Sequence, residues 1–291
     1  MERFVFLTVD GLAHGAIYAA FSLSLVLIWR GTRVVNFAQG AMAVASAYIA
    51  YSVASGTGSY WLGAVAAIAS GLVLGVIVER GVMRFVAHTA PLSAIVVALG
   101  VSLLITAVVG ILYGVDQRPF PVPFSRTPYT IGGYAVFSPF TLFTFGVVAI
   151  VVIGIALLFT RTSVGLRMRA SAFAPETARL LGVNVSRVLT IGWALAAGVG
   201  AVASLLIIPT AFLQPNAMDL VFVTAFTAAV IGGLDSPVGA VVGGLVVGLL
   251  LSYVSGYLGS NVTSIGVLVL LVVVLLLRPS GLFTMRQARR V

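Results

Sequence analysis

Long apolar segments follow one another along almost the whole chain, with short polar connections between them. A helix needs about 20 predominantly apolar residues to cross the hydrocarbon core of a bilayer. Nine segments approach this length: Phe4 to Ile28, Val34 to Ala54, Tyr60 to Val78, Pro91 to Tyr113, Pro139 to Phe159, Val188 to Ile208, Ala217 to Gly233, Val238 to Leu258 and Ser264 to Leu277. The segments that begin at Val34 and Ala217 are polar-edged or short, as broken or re-entrant helices are. The pattern therefore predicts eight or nine spans.

The composition indicates a membrane protein. Hydrophobic residues make up 60% of the 291-residue chain and charged residues 8%, whereas a soluble domain carries about 25% charged residues. We therefore predict an all-α fold, a polytopic transmembrane helical bundle in which residues 1–291 form a single domain. A water-soluble fold is excluded. The chain has no cysteine, which excludes a disulfide framework and a thiolate metal site.

The basic residues, all of them arginine, divide unevenly between the two sides of the predicted bundle. One side holds Arg3, Arg118 and Arg126. The other side holds Arg30, Arg33, Arg80, Arg84, Arg161, Arg167, Arg169, Arg179, Arg187, Arg278, Arg286, Arg289 and Arg290. Cytoplasmic connections carry the excess of positive charge, so we predict an outer N-terminus and a cytoplasmic C-terminus. The net charge of +9 thus reflects topology in a lipid bilayer, and no nucleic-acid partner is predicted.

Glycine recurs at four-residue spacing within several predicted spans. The pairs are Gly11/Gly15, Gly71/Gly75, Gly239/Gly243 and Gly244/Gly248. Small residues at this spacing let helix backbones approach closely in lipid, where apolar side chains gain nothing by leaving their surroundings. The pairs predict a tightly packed bundle and carry no information about a substrate.

Two connections are long, and the one at residues 114–138 is predicted to lie outside. It contains four prolines, followed by the stretch YTIGGYAVF, which predicts a β-hairpin that turns at Gly132-Gly133. The connection suits either a docking surface for an external protein or a plain linker.

The second long connection, residues 161–187, is predicted to be cytoplasmic. Pro175 suits a first helical position, Glu176 and Arg179 form an i,i+3 pair, and Gly182 suits the end of a helix. We predict a two-turn helix from Pro175 to Leu181, too short to span and flanked by arginines. Such a helix is either a contact point for a partner protein or a solvated loop element.

Four blocks of sequence carry a resemblance to a known family. They are GLAHGAIYAAFSLSLVLIWRGTRVVNFAQG (11–40), TRTSVGLRMRASAFAPETARLLGVNV (160–185), VIGGLDSPVGAVVGGLVVGLL (230–250) and LLRPSGLF (276–283). In this order they resemble the permeases of branched-chain amino acid ABC transporters, of the LivH type. The resemblance implies an inner-membrane importer subunit, not an enzyme, that works by alternating access. It also implies a second homologous permease subunit, two cytoplasmic ATPase subunits and an extracytoplasmic solute-binding protein.

The resemblance makes the short helix a coupling helix that docks on an ATPase. The coupling residues it implies are Pro175, Glu176, Arg179, Leu180 and Gly182. Without a lysine the chain contains no GxxxxGK[ST] phosphate loop, so we expect ATP to be hydrolysed by the partner subunits and no cofactor to be bound by this chain.

The chain departs from the family pattern at three positions. The family usually has an acidic residue where this chain has Ala174, and often one where Ala41 follows NFAQG; Asp235 stands where a glycine is more common. The departure at Ala41 leaves the cargo open. Branched-chain amino acids are the family's commonest cargo, and urea or short amides are an alternative.

Polar residues at span edges predict a path for the solute. These are Asn36, Gln39, Gly40, Thr224 and Thr227, for which hydrogen bonding between helices is the competing explanation.

The ionisable residues within spans give no sign of another mechanism. Asp10, His14, Glu79 and Asp219 lie near span ends and are expected to be interfacial anchors. Since coupled carriers usually place charged residues near the midplane, an ATPase-independent channel or secondary carrier is the less favoured alternative. The only histidines are His14 and His88, so neither a metal site nor a catalytic cluster is predicted.

Overall fold

The computed structural model describes residues 2–86, 91–131, 134–277 and Gly281. The helices are α1 (Glu2–Thr32), α2 (Gln39–Thr57), α3 (Tyr60–Val78), α4 (Arg84–Val86), α5 (Pro91–Tyr113), α6 (Pro139–Arg161), α7 (Ser163–Phe173), α8 (Pro175–Leu180), α9 (Val185–Ala211), α10 (Asp219–Gly232), α11 (Pro237–Leu258) and α12 (Thr263–Leu277). A π-helical turn, Glu79–Met83, joins α3 to α4, and a 3₁₀ turn, Ser260–Val262, precedes α12. His88 and the last four predicted cytoplasmic arginines lie outside the described residues.

Each of the nine predicted apolar segments coincides with a helix over most of its length, and the protein is a predominantly helical, multi-pass bundle. Within the described residues, six helices are long and apolar enough to cross a membrane: α1, α3 continuing through α4, α5, α6, α9 and α11. Helix α10 has 14 residues and α12 has 15. At about 1.5 Å per residue both fall short of the roughly 30 Å hydrocarbon core. The total of eight or nine crossings therefore stays a prediction.

The second predicted segment begins later than its apolar pattern indicates. It was expected to start at Val34, but α2 starts at Gln39. The side-chain oxygen of Asn36 accepts a hydrogen bond from the Ala38 N–H at 3.0 Å. Such a local bond replaces the helical one and holds the preceding residues in a turn. Once begun, α2 runs unbroken to Thr57.

Glycines bring helix backbones into contact, as their spacing predicted. A Cβ built on Gly248 would lie 2.2 Å from the Cα atom of Gly15, and one on Gly75 would lie 2.5 Å from the carbonyl oxygen of Trp193. In the same way, a Cβ on Gly243 would lie 2.2 Å from the carbonyl oxygen of Ala228 in α10. All four glycine pairs therefore lie where helices touch: α1 on α11, α3 on α9, and α10 on α11.

Helices α1 and α9 form the centre of the bundle, and α5 and α6 lie at its edge. The most apolar 18-residue stretches of α1 and α9 are each 78% buried, whereas those of α5 and α6 are 17% and 22% buried. Trp193, Tyr48 and Phe21 are among the largest fully buried side chains. The helices at the edge of the bundle expose large apolar residues such as Leu103 and Ile111, which suits contact with lipid.

The arginines of the two predicted groups that fall within the described residues lie at opposite ends of the bundle. Arg3 donates to the carbonyl oxygen of Gly256 where α11 ends, whereas Arg33 pairs with Asp235 just before α11 begins. Since α1 and α11 are antiparallel, these contacts define an outer-loop end and an arginine-rich end. Asp235, the departure from the family pattern, also accepts a bond from Trp29 Nε1 at 3.3 Å and so ties α1 to the loop before α11.

The connection at residues 114–138 is fastened to the outer-loop end. Arg118 and Leu213 exchange backbone hydrogen bonds of 2.9 and 3.0 Å, which tie the connection to the residues after α9. The predicted hairpin is present: β1 (Tyr129–Ile131) pairs antiparallel with β2 (Tyr134–Phe137). Its predicted turn at Gly132-Gly133 lies outside the described residues.

Candidate functional site

Residues 161–187 fold into two short helices at the arginine-rich end. The Thr162 side chain accepts a hydrogen bond from the Gly165 N–H at 3.1 Å and caps the start of α7. Helix α7 ends at Phe173 because Ala174 leaves the helical conformation, at φ −144° and ψ 78°. Pro175 then takes the first position of α8, where its missing N–H costs nothing. The prediction of a short helix is confirmed, although its last residue is Leu180 and not Leu181.

Gly182 fixes the end of α8. It has φ +80°, a left-handed backbone conformation that favours glycine. Its N–H donates to the carbonyl oxygen of Arg179 at 3.0 Å, and the Val183 N–H donates to that of Ala178 at 2.9 Å. This pair of bonds is a Schellman motif and satisfies carbonyls that the helix end would leave free. Nothing lies within 4 Å of the position of a Cβ on Gly182, so glycine is needed there for conformation and not for space.

Large apolar side chains of α7 and α8, and of the residue after α8, are exposed. Phe173 and Leu180 are each 89% exposed, Leu181 is 79% exposed and Leu166 is 60% exposed. Ala178 by contrast faces the protein and is 3% exposed. We refer to Leu166, Phe173, Leu180 and Leu181 as the exposed apolar residues of the α7–α8 segment. Large apolar groups exposed on a segment too polar to enter lipid mark a protein contact.

The sequence identified only one of the exposed apolar residues of the α7–α8 segment as a candidate site residue, Leu180. A signal for the others was present in the sequence, because Leu166 and Phe173 lie in an arginine-rich helix that is not apolar enough to span. Periodicity alone does not show which face of so short a helix is covered.

Glu176 and Arg179 form the predicted i,i+3 ion pair on α8. Their side-chain atoms are 2.9 Å apart, with 82% of the glutamate side chain and 50% of the arginine side chain exposed. An exposed pair of this kind contributes at most about 1 kcal/mol to stability, so both groups are free to contact a partner.

An ion pair between a buried carboxylate and a half-exposed arginine lies next to Arg179 of α8. Arg179 borders a cavity of about 60 Å³ that is also lined by Glu79 and Arg84. The Glu79 carboxylate is 3.0 Å from Arg84 Nη2, and accepts a hydrogen bond from Thr190 of α9 at 2.7 Å. Glu79, expected as an interfacial anchor, is instead 3% exposed. A displacement of α8 would therefore act next to a charged link between α9 and the π-helical turn.

The residues predicted to border the path fall into two groups. Asn36 and Gln39 are fully buried and joined by a 3.0 Å hydrogen bond. Gln39 Nε2 also donates to Ser24 Oγ at 3.2 Å and to the carbonyl oxygen of Ala196 at 2.8 Å. Gln39 thus links α2 to α1 and α9, as hydrogen bonding between helices would require.

The second group lies on or against α10. Thr224 and Thr227 are buried, and their hydroxyls donate to the Leu220 and Val223 carbonyls of the same helix, both at 2.8 Å. Gly40 packs against the start of α10, with a Cβ position 3.5 Å from the Met218 carbonyl oxygen. The structure therefore brings Gly40 to α10, whereas Gln39 is bonded to α1 and α9 and Asn36 is bonded to Gln39.

Comparison with known proteins gives a family match over most of the chain. The family described as "Branched-chain amino acid transport system / permease component" matches residues 7–277. The high-affinity branched-chain amino acid transport system permease protein BraD of Pseudomonas aeruginosa is 27% identical over 97% of this chain and 96% of its own length. LivH of Escherichia coli K12, a permease protein described in the same terms, is 28% identical over the same shares. The probable LivH of Methanocaldococcus jannaschii is 26% identical over 82% of this chain and 77% of its own.

A solved structure, PsaBC from Streptococcus pneumoniae in complex with Fab, aligns with 96% of this chain and 91% of that chain, at 14% identity and a TM-score of 0.48. That similarity is too low to assign a fold. The family match does not depend on it, because it covers all but the two ends of the chain and agrees with the apolar, multi-pass bundle. The chain belongs to the permease-component family of branched-chain amino acid transport systems.

Proposed function

We propose that this chain is the transmembrane permease subunit of an ATP-binding-cassette importer for branched-chain or related amino acids in the inner membrane. The observation that carries the proposal is the surface formed by α7 and α8. It combines a rigidly capped helix with exposed apolar side chains on a segment too short and too charged to enter lipid. A surface of this kind suits a groove on a cytoplasmic partner.

The partners follow from the two ends of the bundle. Two ATPase subunits dock at the arginine-rich end, one on this chain and one on a second homologous permease subunit. An extracytoplasmic solute-binding protein docks at the outer-loop end, where residues 114–138 are fastened to α9. ATP is hydrolysed by the partner subunits, and this chain binds no cofactor.

Transport proceeds by alternating access in a bundle with an outer N-terminus and a cytoplasmic C-terminus. Pro175, Glu176, Arg179, Leu180 and Gly182 form or shape the contact with the ATPase. Closure of the ATPases displaces α8 next to the Glu79–Arg84 pair and so moves α9 relative to α3. This coupling is favoured by the position of Arg179 at the cavity that the pair lines.

The path opens between α2 and α10 in the proposed cycle. Gly40, Thr224 and Thr227 border it once these helices separate, and Asn36 and Gln39 border it once the bonds of Gln39 to α1 and α9 also break. In the present conformation all five are buried, and the four polar side chains are hydrogen-bonded. Such residues supply polar groups to a passing solute only after the helices move apart, as alternating access requires.

The test is co-purification followed by an ATPase assay. The chain is expressed with its neighbouring genes and purified through a tag on this subunit, and ATP hydrolysis is measured with leucine-loaded binding protein. We expect two ATPases and a second permease to co-purify and leucine to stimulate hydrolysis. If urea, an amide or another amino acid stimulates hydrolysis instead, only the proposed cargo is wrong and the importer subunit stands. A chain that transports in liposomes without any ATPase would be a channel or secondary carrier.

A matched pair of variants locates the docking surface. Leu180→Ser removes a side chain that is 89% exposed at the arginine-rich end, and Val115→Ser removes one that is 75% exposed in the outer connection. We expect Leu180→Ser to lower the recovered ATPase at least severalfold and Val115→Ser to leave it unchanged. Equal recovery in both variants would place the ATPase elsewhere.

A further inference from the structure

A cavity of about 330 Å³ opens at the outer-loop end, between α1, α6, α9 and the 114–138 connection. Ligand sites in proteins range from about 300 to 1,000 Å³, so this cavity suits one small solute. Its inner part is apolar, formed by Ile17, Phe140 and Leu206, which are 3%, 6% and 1% exposed. None of the five predicted path residues lines it.

The cavity carries a negative group on α1. Asp10 lines it, and one carboxylate oxygen accepts a hydrogen bond from Ser252 of α11 at 3.1 Å. The other oxygen is 3.4 Å from Nδ1 of His14, one turn further along α1. With 38% of its side chain exposed, the Asp10 carboxylate is held in place from behind and remains open toward the cavity.

The cavity carries a positive group on the outer connection. Arg126 lines it and is anchored by one bond, from Nη1 to the carbonyl oxygen of Pro209 at 2.6 Å. That carbonyl lies in the last turn of α9 and has no partner further along the helix, so Arg126 satisfies it. Among the described residues no carboxylate lies within ion-pair distance of Arg126. The rest of the guanidinium fork is therefore available to a ligand.

We propose that this outer cavity binds a small amino acid in its zwitterionic form. Arg126 takes the carboxylate, Asp10 takes the ammonium group, and the side chain lies against Ile17, Phe140 and Leu206. A guanidinium matches a carboxylate in geometry as well as in charge. Asp10 and Arg126 line the same cavity without pairing with each other. A zwitterion carries a positive group that complements Asp10 and a negative group that complements Arg126.

The inference rests on the proposed function, since it places the receiving site for a solute released at the outer face. Such a site holds the solute loosely, because tight binding in a pathway slows release. The cavity lies between the outer connection and the interior of α1, on the side where a binding protein would dock. Asp10, expected from the sequence as an interfacial anchor, is thereby given a ligand, and His14 lies beside it at 3.4 Å.

The test measures binding to the full chain in lipid nanodiscs with three ligands that differ in charge. L-leucine carries both groups, L-leucinamide lacks the carboxylate, and 4-methylpentanoate lacks the ammonium group. The wild-type chain is expected to bind leucine more tightly than either analogue. Arg126→Gln should lower the affinity for leucine and 4-methylpentanoate about tenfold and leave the affinity for leucinamide unchanged. Asp10→Asn should lower the affinity for leucine and leucinamide about tenfold and leave the affinity for 4-methylpentanoate unchanged.

Arg3→Gln is the matched control. Arg3 lies at the same end of α1 and is bonded to Gly256, but does not line the cavity, so all three affinities should be unchanged. A variant that weakens all three ligands equally acts through the fold and would overturn the assignment. Wild-type binding that is absent, or no tighter for leucine than for the analogues, would overturn it without any variant. Loss of this site would leave ATPase co-purification intact, so the two proposals fail separately.

Discussion

At the interface of α1 and α11, a Cβ on Gly248 would lie 2.2 Å from the Cα atom of Gly15, whereas at the end of α8 a Cβ on Gly182 would meet nothing within 4 Å. Both positions require glycine, but the first requires it for space and the second for a backbone with φ +80°. The α1–α11 interface is held together by backbone contact. The segment from α7 to Gly182 is held by caps and leaves its apolar side chains uncovered.

The α1–α11 interface is packed for stability, whereas the uncovered side chains of the α7–α8 segment suit contact with a partner. In lipid, apolar side chains gain nothing by leaving their surroundings, so helices associate through close packing of small residues. Outside lipid, exposed apolar side chains are costly unless a partner covers them. Substitutions in the two regions should therefore separate loss of the fold from loss of coupling.

Gly248→Leu should have the largest effect. The added atoms would enter the backbone of α1, which cannot move aside as a flexible side chain can, so we expect a loss of more than about 3 kcal/mol of stability. The measurement is the fraction of folded protein after membrane extraction. Gly146→Leu is the control, since Gly146 lies on α6 with nothing within 4 Å, and its folded fraction should be unchanged. Equal losses of folded protein in both variants would show that the α1–α11 interface does not require glycine at position 248.

Gly182→Val should have an intermediate effect, confined to coupling. The left-handed backbone costs a residue with a Cβ about 1–2 kcal/mol, which is enough to unwind the end of a six-residue helix but not the bundle. We expect normal insertion, with less solute taken up per ATP hydrolysed in the reconstituted complex.

Gly58→Val provides the matched control for Gly182→Val. Gly58 has φ +72° after α2, at the outer-loop end, again with nothing within 4 Å of the Cβ position. Its backbone strain is the same in kind, so uptake per ATP should be unchanged. Unchanged uptake in Gly182→Val would remove Gly182 from the coupling contact.

Glu176→Gln should have the smallest effect on the chain itself. Its ion pair with Arg179 is exposed, so the free energy of unfolding should change by less than about 1 kcal/mol. Chemical unfolding of the purified subunit measures this. A larger change would show that the pair stabilises α8, and would weaken the view that these charges are free for a partner.

Features that depend on residues close together in the chain could be predicted from the sequence. Apolar runs located the nine helical segments, glycine spacing predicted close packing, and the order of Pro175, Glu176 and Gly182 predicted a capped short helix. Each of these follows from local preferences or from the solvent around one helix, so it can be read without knowing which helices meet. The family resemblance came from ordered blocks of residues in the same way.

The contacts between residues of different helices could not be predicted from the sequence and are seen only in the folded bundle. The folded bundle joins Gln39 to α1 and α9, buries Glu79 against Thr190, and places Asp10 and Arg126 on one cavity. Periodicity reports that a face is apolar or polar, but not which other face covers it. The pairing of α1 with α11 depends on backbone shapes that fit only when both helices are present, and the cavity at the outer-loop end exists only where α1, α6, α9 and the 114–138 connection meet.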